Sequence, residues 1–222
     1  MERRFERDLE NLKKTLIRMG SVVEENLATC FEALLKDDAE LAQKVISIDE
    51  RIDSMEIEID NAVVDILALQ QPVASDLRLI IAAQKISNDL ERIGDHAVNI
   101  AESVIGLKAT PEQEPLLEIP KMAEITRMML RHALDSFILL DPKLAQSVLE
   151  RDDQIDEINR QMTEVVVQAI KSNKQTIESG LQLIRISRNL ERVADLATNI
   201  AEDVIFHTQA RVVKHHAEDK GR

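Results

Sequence analysis

The sequence predicts an all-α protein made of two tandem antiparallel three-helix bundles that are related by an internal repeat. Three observations lead to this prediction: apolar residues recur at helical spacing, one 20-residue stretch occurs twice, and the core has to be aliphatic. Hydrophobic residues make up 44% of the chain but aromatic residues only 2%, with no Trp or Tyr. A core of Leu, Ile, Val, Met and Ala is well suited to packing between helices.

The repeated stretch reads ISNDLERIGDHAVNIAESVI at residues 86–105 and ISRNLERVADLATNIAEDVI at residues 186–205. In both copies the apolar residues step by three and four, which is the spacing of one helix face. At about 100° per residue, the acidic and amide residues fall on the other side; they are Glu91, Asp95, Asn99 and Glu102, then Glu191, Asp195, Asn199 and Glu202. Each copy therefore predicts a helix with an apolar face and an acidic face.

The first half is predicted to form three long helices. The apolar period predicts a first helix over about 4–36, a second that ends near Gln70, and a third that ends near Lys108. Asp38 follows Asp37 at the first boundary, and either carboxylate can accept hydrogen bonds from the free N–H groups of the next helix. Pro72 turns the chain at the second boundary, because proline lacks an N–H and disfavours a helical residue before it.

The second half repeats this plan after a linker at 109–120, which contains three of the five prolines. Helices are predicted over about 120–140, from Pro142 to about 172, and from the turn SNKQT to about 208. Asp141 before Pro142 is a typical helix start, with a capping side chain followed by proline. We therefore expect a first bundle at 1–110, a second at 111–210 and a polar tail at 211–222.

Composition excludes several classes of protein. The 28 Lys and Arg residues against 41 Asp and Glu residues give a formal net charge of -13. This charge repels phosphate backbones, so nucleic acid is excluded as a partner. The N-terminus lacks a signal peptide and no apolar run reaches the length of a membrane span, so we expect a cytoplasmic protein without membrane insertion. Cys30 is the only cysteine and is predicted to lie in the core.

Pairs of carboxylates at i, i+4 are the candidate metal ligands. Asp49, Asp53, Glu56 and Asp60 follow apolar positions on the second helix, and a shift of 103 aligns the first two with Asp152 and Asp156. The predicted ligands are Asp49, Asp53, Glu91 and Asp95 in the first half, and Asp152, Asp156, Glu191 and Asp195 in the second. Neighbouring antiparallel helices would bring each set of four together, and oxygen ligands suit Mg²⁺, Ca²⁺, Mn²⁺ or Fe³⁺. Salt bridges to Arg92, Arg192 and Lys85 are the alternative.

Other metal chemistries lack their ligands in this sequence. Ferritin-type di-iron sites need Glu-x-x-His, and none of the five histidines has a Glu three residues before it. Zinc sites typically need clusters of Cys and His. The only histidine beside an acidic pair is His96, and Leu196 takes its place in the other copy.

At LERIGDHAVNIAE (90–102) and PVASDLRLI (72–80) the sequence resembles the PhoU family of phosphate-signalling accessory proteins of bacteria. The resemblance extends from the first helix to about residue 208 and implies a PhoU-like pair of three-helix bundles. It also implies multinuclear metal clusters on the acidic pairs, with iron as the best precedent and zinc or nickel as alternatives. The second half departs from the family pattern, since Ala194 replaces Gly94 and Leu196 replaces His96. We therefore expect the better-formed cluster in the first half.

The resemblance further implies a cytoplasmic, non-catalytic negative regulator of phosphate uptake and of the phosphate-starvation response. Such proteins couple the ATPase subunit of the phosphate-specific ABC transporter to a sensor histidine kinase, and a homodimer is expected. The alternative function is a metal-dependent enzyme, a phosphatase or an oxidase, that uses the same carboxylates.

Overall fold

Seven α-helices make up most of residues 2–108, 118–172 and 176–213, which are the residues that the computed structural model describes. The helices are α1 (Glu2–Lys36), α2 (Ala39–Gln70), α3 (Ala74–Lys108), α4 (Glu118–Leu139), α5 (Pro142–Leu149), α6 (Asp152–Lys171) and α7 (Ile177–Gln209). The predicted all-α fold with two repeats of three helical segments is confirmed. Most of the predicted linker and the end of the tail lie outside the described residues. No candidate membrane span occurs among the helices of the described residues.

The helix starts that were predicted from Asp38 and Asp141 are present at equivalent places in the two halves. The Asp38 carboxylate accepts hydrogen bonds from the N–H groups of Glu40 (2.9 Å) and Leu41 (3.1 Å). Asp141 caps α5 in the same way, through the N–H groups of Lys143 (2.9 Å) and Leu144 (3.2 Å). Each aspartate therefore satisfies two N–H groups that have no partner within the helix.

The prediction of one continuous helix from Pro142 to about 172 was wrong, because the chain breaks between α5 and α6 at Glu150 and Arg151. The N–H of Arg151 donates to the carbonyl of Val148 at 3.0 Å, a three-residue spacing that tightens the last turn. Arg151 stands where the first half has Ile48, which packs against the core from within an unbroken α2. Arg151 is half-buried at the break, and its Nε is buried without a hydrogen-bond partner.

The two repeated stretches form α3 and α7, which pack against each other more extensively than any other pair of helices. Their contacts run antiparallel: Lys85 Nζ donates to Asp203 Oδ1 at 2.8 Å, and Arg185 Nη2 donates to Glu102 Oε2 at 2.7 Å. α1 and α2 pack on α3, while α4, α5 and α6 pack on α7. The buried side chains of both halves form one hydrophobic core, which includes Cys30, as predicted.

Candidate metal-binding site

The first acidic cluster consists of Asp49 and Asp53 on α2 and of Glu91 and Asp95 on α3. Three of these residues directly follow core positions (Ile48, Ile52 and Leu90), so the packing of α2 on α3 places their carboxylates at the edge of the core. Burial raises the pKa of Asp49, and the charges of Asp53 and Asp95 raise it further. The four predicted ligands of the first half therefore lie within electrostatic reach of one another.

Glu91 is the most strongly perturbed member of the first acidic cluster. Burial and the charges of Asp95, Glu56, Asp53 and Asp49 raise its pKa to about 7 from an ordinary value of 4.5. A cation among these carboxylates would favour the ionised form of Glu91 and relieve this repulsion.

The Asp49 carboxylate has an oxygen, Oδ1, that is buried and has no hydrogen-bond partner. Gly94 faces this oxygen: a Cβ at that position would lie 3.3 Å from Oδ1 and 3.1 Å from Ile52 Cδ1. The glycine thus leaves room for the carboxylate between α2 and α3. A buried oxygen without a donor costs free energy that an oxygen-binding cation would remove. The donor set and this oxygen both fit a hard cation.

The second acidic cluster consists of Asp152 and Asp156 on α6 and of Glu191 and Asp195 on α7. Asp156, Glu191 and Asp195 each offer an oxygen within 4.8 Å of the others, and no other such group occurs among the described residues. Burial raises the pKa of Asp152, and so do the charges of Asp195 and Asp156. The closest set of oxygens is therefore in the second half, whereas the sequence favoured the first.

The salt bridges that were considered as an alternative are present only in part. Arg92 lies 3.7 Å from Asp89, and Lys85 binds Asp203, so neither of these ion pairs uses a predicted ligand. Arg192 does contact two predicted ligands, with Nη1 3.0 Å from Asp195 Oδ2 and Nε 3.6 Å from Glu191 Oε2. The alternative therefore applies to the second acidic cluster.

Two residues that were not among the predicted ligands contribute to the site. Glu56 accepts a hydrogen bond from Asn88 Nδ2 at 3.2 Å, and its charge raises the pKa of Glu91. The sequence did indicate Glu56, because it belongs to the series of acids that follow apolar positions on α2. Thr198 Oγ1 donates to Asp152 Oδ1 at 3.3 Å. Val98 occupies the equivalent position in the first half, so nothing in the repeat pointed to Thr198.

The pKa of Glu91 predicts how the stability of the metal-free protein depends on pH. Between about pH 4.5 and about pH 7 the folded protein keeps a proton on Glu91 that the unfolded chain has released. The free energy of unfolding should therefore fall as the pH rises through this window. Urea unfolding with a chelator present, at about pH 5 and about pH 7.5, should show a smaller fall in Glu91→Gln than in the wild type.

The matched control is Glu50→Gln, which removes an exposed carboxyl group of α2 outside the first acidic cluster. This variant should keep the pH dependence of the wild type. Equal slopes for Glu91→Gln and the wild type would contradict the assignment of the raised pKa to Glu91.

Comparison with known proteins identifies the family. The PhoU domain model matches residues 16–104 and 119–204, one match in each half. A phosphate-specific transport system accessory protein PhoU homolog of Clostridium acetobutylicum is 36% identical over 203 residues, covering 91% of this chain and 93% of the relative. The homolog of Aquifex aeolicus is 38% identical over 216 residues, covering 97% and 98%.

Solved structures agree with the sequence matches. The crystal structure of PhoU from Pseudomonas aeruginosa has a TM-score of 0.90 at 38% identity, covering 93% of this chain and 100% of the other. The phosphate transport system regulatory protein PhoU from Streptococcus pneumoniae has a TM-score of 0.88 at 30% identity, covering 95% and 99%. The chain therefore belongs to the PhoU family.

Proposed function

We propose that this protein is a cytoplasmic, non-catalytic regulator of phosphate transport that represses phosphate uptake and the phosphate-starvation response. The observation that carries the proposal is the match to relatives named as phosphate-specific transport system accessory proteins, at 36% and 38% identity over nine tenths or more of both chains. The structure from Streptococcus pneumoniae is likewise described as a regulatory protein of phosphate transport.

In this proposal each acidic cluster holds a multinuclear metal centre, with iron as the first candidate and zinc, nickel, Mg²⁺ or Ca²⁺ as alternatives. Asp49, Asp53, Glu91 and Asp95 would hold the first, and Asp152, Asp156, Glu191 and Asp195 the second. The support is the oxygen-only donor set and the buried, unpartnered Asp49 Oδ1. A bound cation would supply positive charge that offsets the mutual repulsion of the carboxylates. Since each cluster draws residues from two helices, it would also tie those helices together.

The proposed partners are the ATPase subunit of the phosphate-specific ABC transporter and a sensor histidine kinase, with the regulator acting as a homodimer. The word accessory in the names of the relatives supports an association with the transporter. Coupling to the kinase is the part of the proposal that rests on the family resemblance alone.

The test is recovery of partners from cells grown with excess phosphate. The tagged chain is cross-linked in the cell and purified, and the co-purifying proteins are identified by mass spectrometry. We expect the transporter ATPase and a sensor kinase, and recovery of neither would contradict the proposed partners. Hydrolysis of a phosphoester, or consumption of O₂, by the purified metal-loaded protein would contradict the non-catalytic role.

A further inference from the structure

Each acidic cluster has a nearby arginine at the same position of the repeat, Arg92 in the first half and Arg192 in the second. The residue three positions before this arginine differs between the two halves. In the first half Asp89 precedes Arg92, and the Arg92 Nη1 lies 3.7 Å from Asp89 Oδ1. The shift of 100 places Asn189 before Arg192. Asn189 is neutral and is already engaged: its Oδ1 accepts from His96 Nδ1 at 2.8 Å, and its Nδ2 donates to the Arg185 carbonyl at 2.7 Å. Asn189 therefore offers Arg192 no charge.

Arg192 instead turns along α7 toward the second acidic cluster. Its Nη1 donates to Asp195 Oδ2 at 3.0 Å, and its Nε lies 3.6 Å from Glu191 Oε2. Burial raises the pKa of both carboxyls, and the charge of Arg192 opposes that rise. The guanidinium thus occupies the position of a counter-ion for two predicted metal ligands.

Arg192 lies beside the closest set of carboxylate oxygens in the described part of the chain. Asp156, Glu191 and Asp195 each place an oxygen within 4.8 Å of the others. Like charges at this separation repel each other, and a cation in contact with two of them offsets that repulsion. In the first half the corresponding arginine, Arg92, contacts Asp89. The charged neighbours that raise the pKa of Glu91 are all carboxylates.

We infer that Arg192 is a resident counter-ion of the second acidic cluster, which must leave Glu191 and Asp195 before a metal ion binds them. Among the residues that the structure describes, no Lys or Arg forms an ion pair with a ligand of the first acidic cluster, so the two clusters bind metal in order, the first before the second. This inference rests on the proposed metal binding. It assigns the order of binding to the contacts of Arg192, which lacks at Asn189 the acid that Arg92 has at Asp89. Arg188, where the first half has Asn88, adds a second positive charge that lowers the pKa of Glu191.

The test is a titration of the metal-free protein with Mn²⁺, in which the EPR signal of the free ion reports how much remains unbound. The wild type should show a tight and a weak class of sites. Asp53→Ala should remove the tight class and Asp156→Ala the weak class. Arg192→Ala should strengthen the weak class about fivefold, the equivalent of the ~1 kcal/mol that a partly exposed ion pair contributes.

Arg92→Ala is the matched control, because it removes the equivalent arginine from a position where it contacts Asp89 rather than a predicted ligand. It should leave the weak class unchanged. Asn189→Asp is the second test, since it offers Arg192 the acid that Arg92 has in the first half. It should strengthen the weak class in the same direction as Arg192→Ala while keeping the arginine.

Three results would overturn the inference. Identical Mn²⁺ isotherms for the wild type, Arg192→Ala and Asn189→Asp, with unchanged helicity by circular dichroism, would show that Arg192 does not compete. A single class of sites in the wild type would contradict the order of binding. Absence of Mn²⁺ binding in every variant would overturn the proposed metal role as well, which distinguishes that failure from the first two.

Discussion

Loss of bound metal is the expected result of replacing Glu91 and Asp95 together with alanine. The change removes both carboxylates that α3 supplies to the first acidic cluster and leaves only the α2 pair. Loss of a residue that merely orients a ligand typically weakens metal binding by about 10- to 100-fold, so loss of two direct ligands should exceed about 100-fold. The helices should persist, because both side chains lie at the edge of the core rather than in it. Elemental analysis after dialysis and far-UV circular dichroism measure the two effects.

The control for this experiment is the double variant Glu50→Ala and Asp65→Ala. It removes two exposed carboxylates of α2 that belong to neither acidic cluster. Its metal content should equal that of the wild type, which separates the loss of ligands from the loss of negative charge. Unchanged metal content in the Glu91 and Asp95 double variant would refute their role as ligands.

A large loss of stability is expected when Ile93 is replaced by alanine. Its side chain is 0% exposed in α3, the helix that packs against α1, α2 and α7. Removing buried methylene and methyl groups leaves a cavity, and such substitutions typically lower the free energy of unfolding by about 2–5 kcal/mol. Urea unfolding with a chelator present measures this change separately from any effect of metal.

Ile57→Ala is the matched control, because Ile57 is 60% exposed on α2. Exposed substitutions usually change the free energy of unfolding by about 0.5 kcal/mol or less. Equal effects of the two isoleucine variants would contradict the placement of α3 at the centre of the core.

The helices were predictable because each has a regular apolar period and most of their boundaries carry a cap or a proline. Asp38 and Asp141 occupy their predicted places for this reason. The break at Arg151 was harder to foresee, because the apolar period continues on both sides of it. The extensive packing of α3 on α7 was not predicted, because the apolar period does not reveal which helices pack on each face.

The helices that supply each acidic cluster were predictable, since i, i+4 pairs on antiparallel neighbouring helices can face the same edge of the core. The acids that Arg92 and Arg192 contact were not predictable from the sequence. Arg92 and Arg192 lie in nearly identical segments, LERI and LERV, yet they contact different acids. The difference depends on Asp89 and Asn189 and on the side chains across the α3–α7 interface, which periodicity does not reveal.

The most direct test of the metal-binding account is anomalous X-ray diffraction from crystals of this protein grown with Mn²⁺. We predict anomalous peaks within about 2.5 Å of carboxylate oxygens of Asp49, Asp53, Glu91 and Asp95, where α2 packs on α3. At higher Mn²⁺ concentration a second set of peaks should lie beside Asp156, Glu191 and Asp195. A map at the higher Mn²⁺ concentration that shows no peak at the first acidic cluster and none at the second would contradict the account.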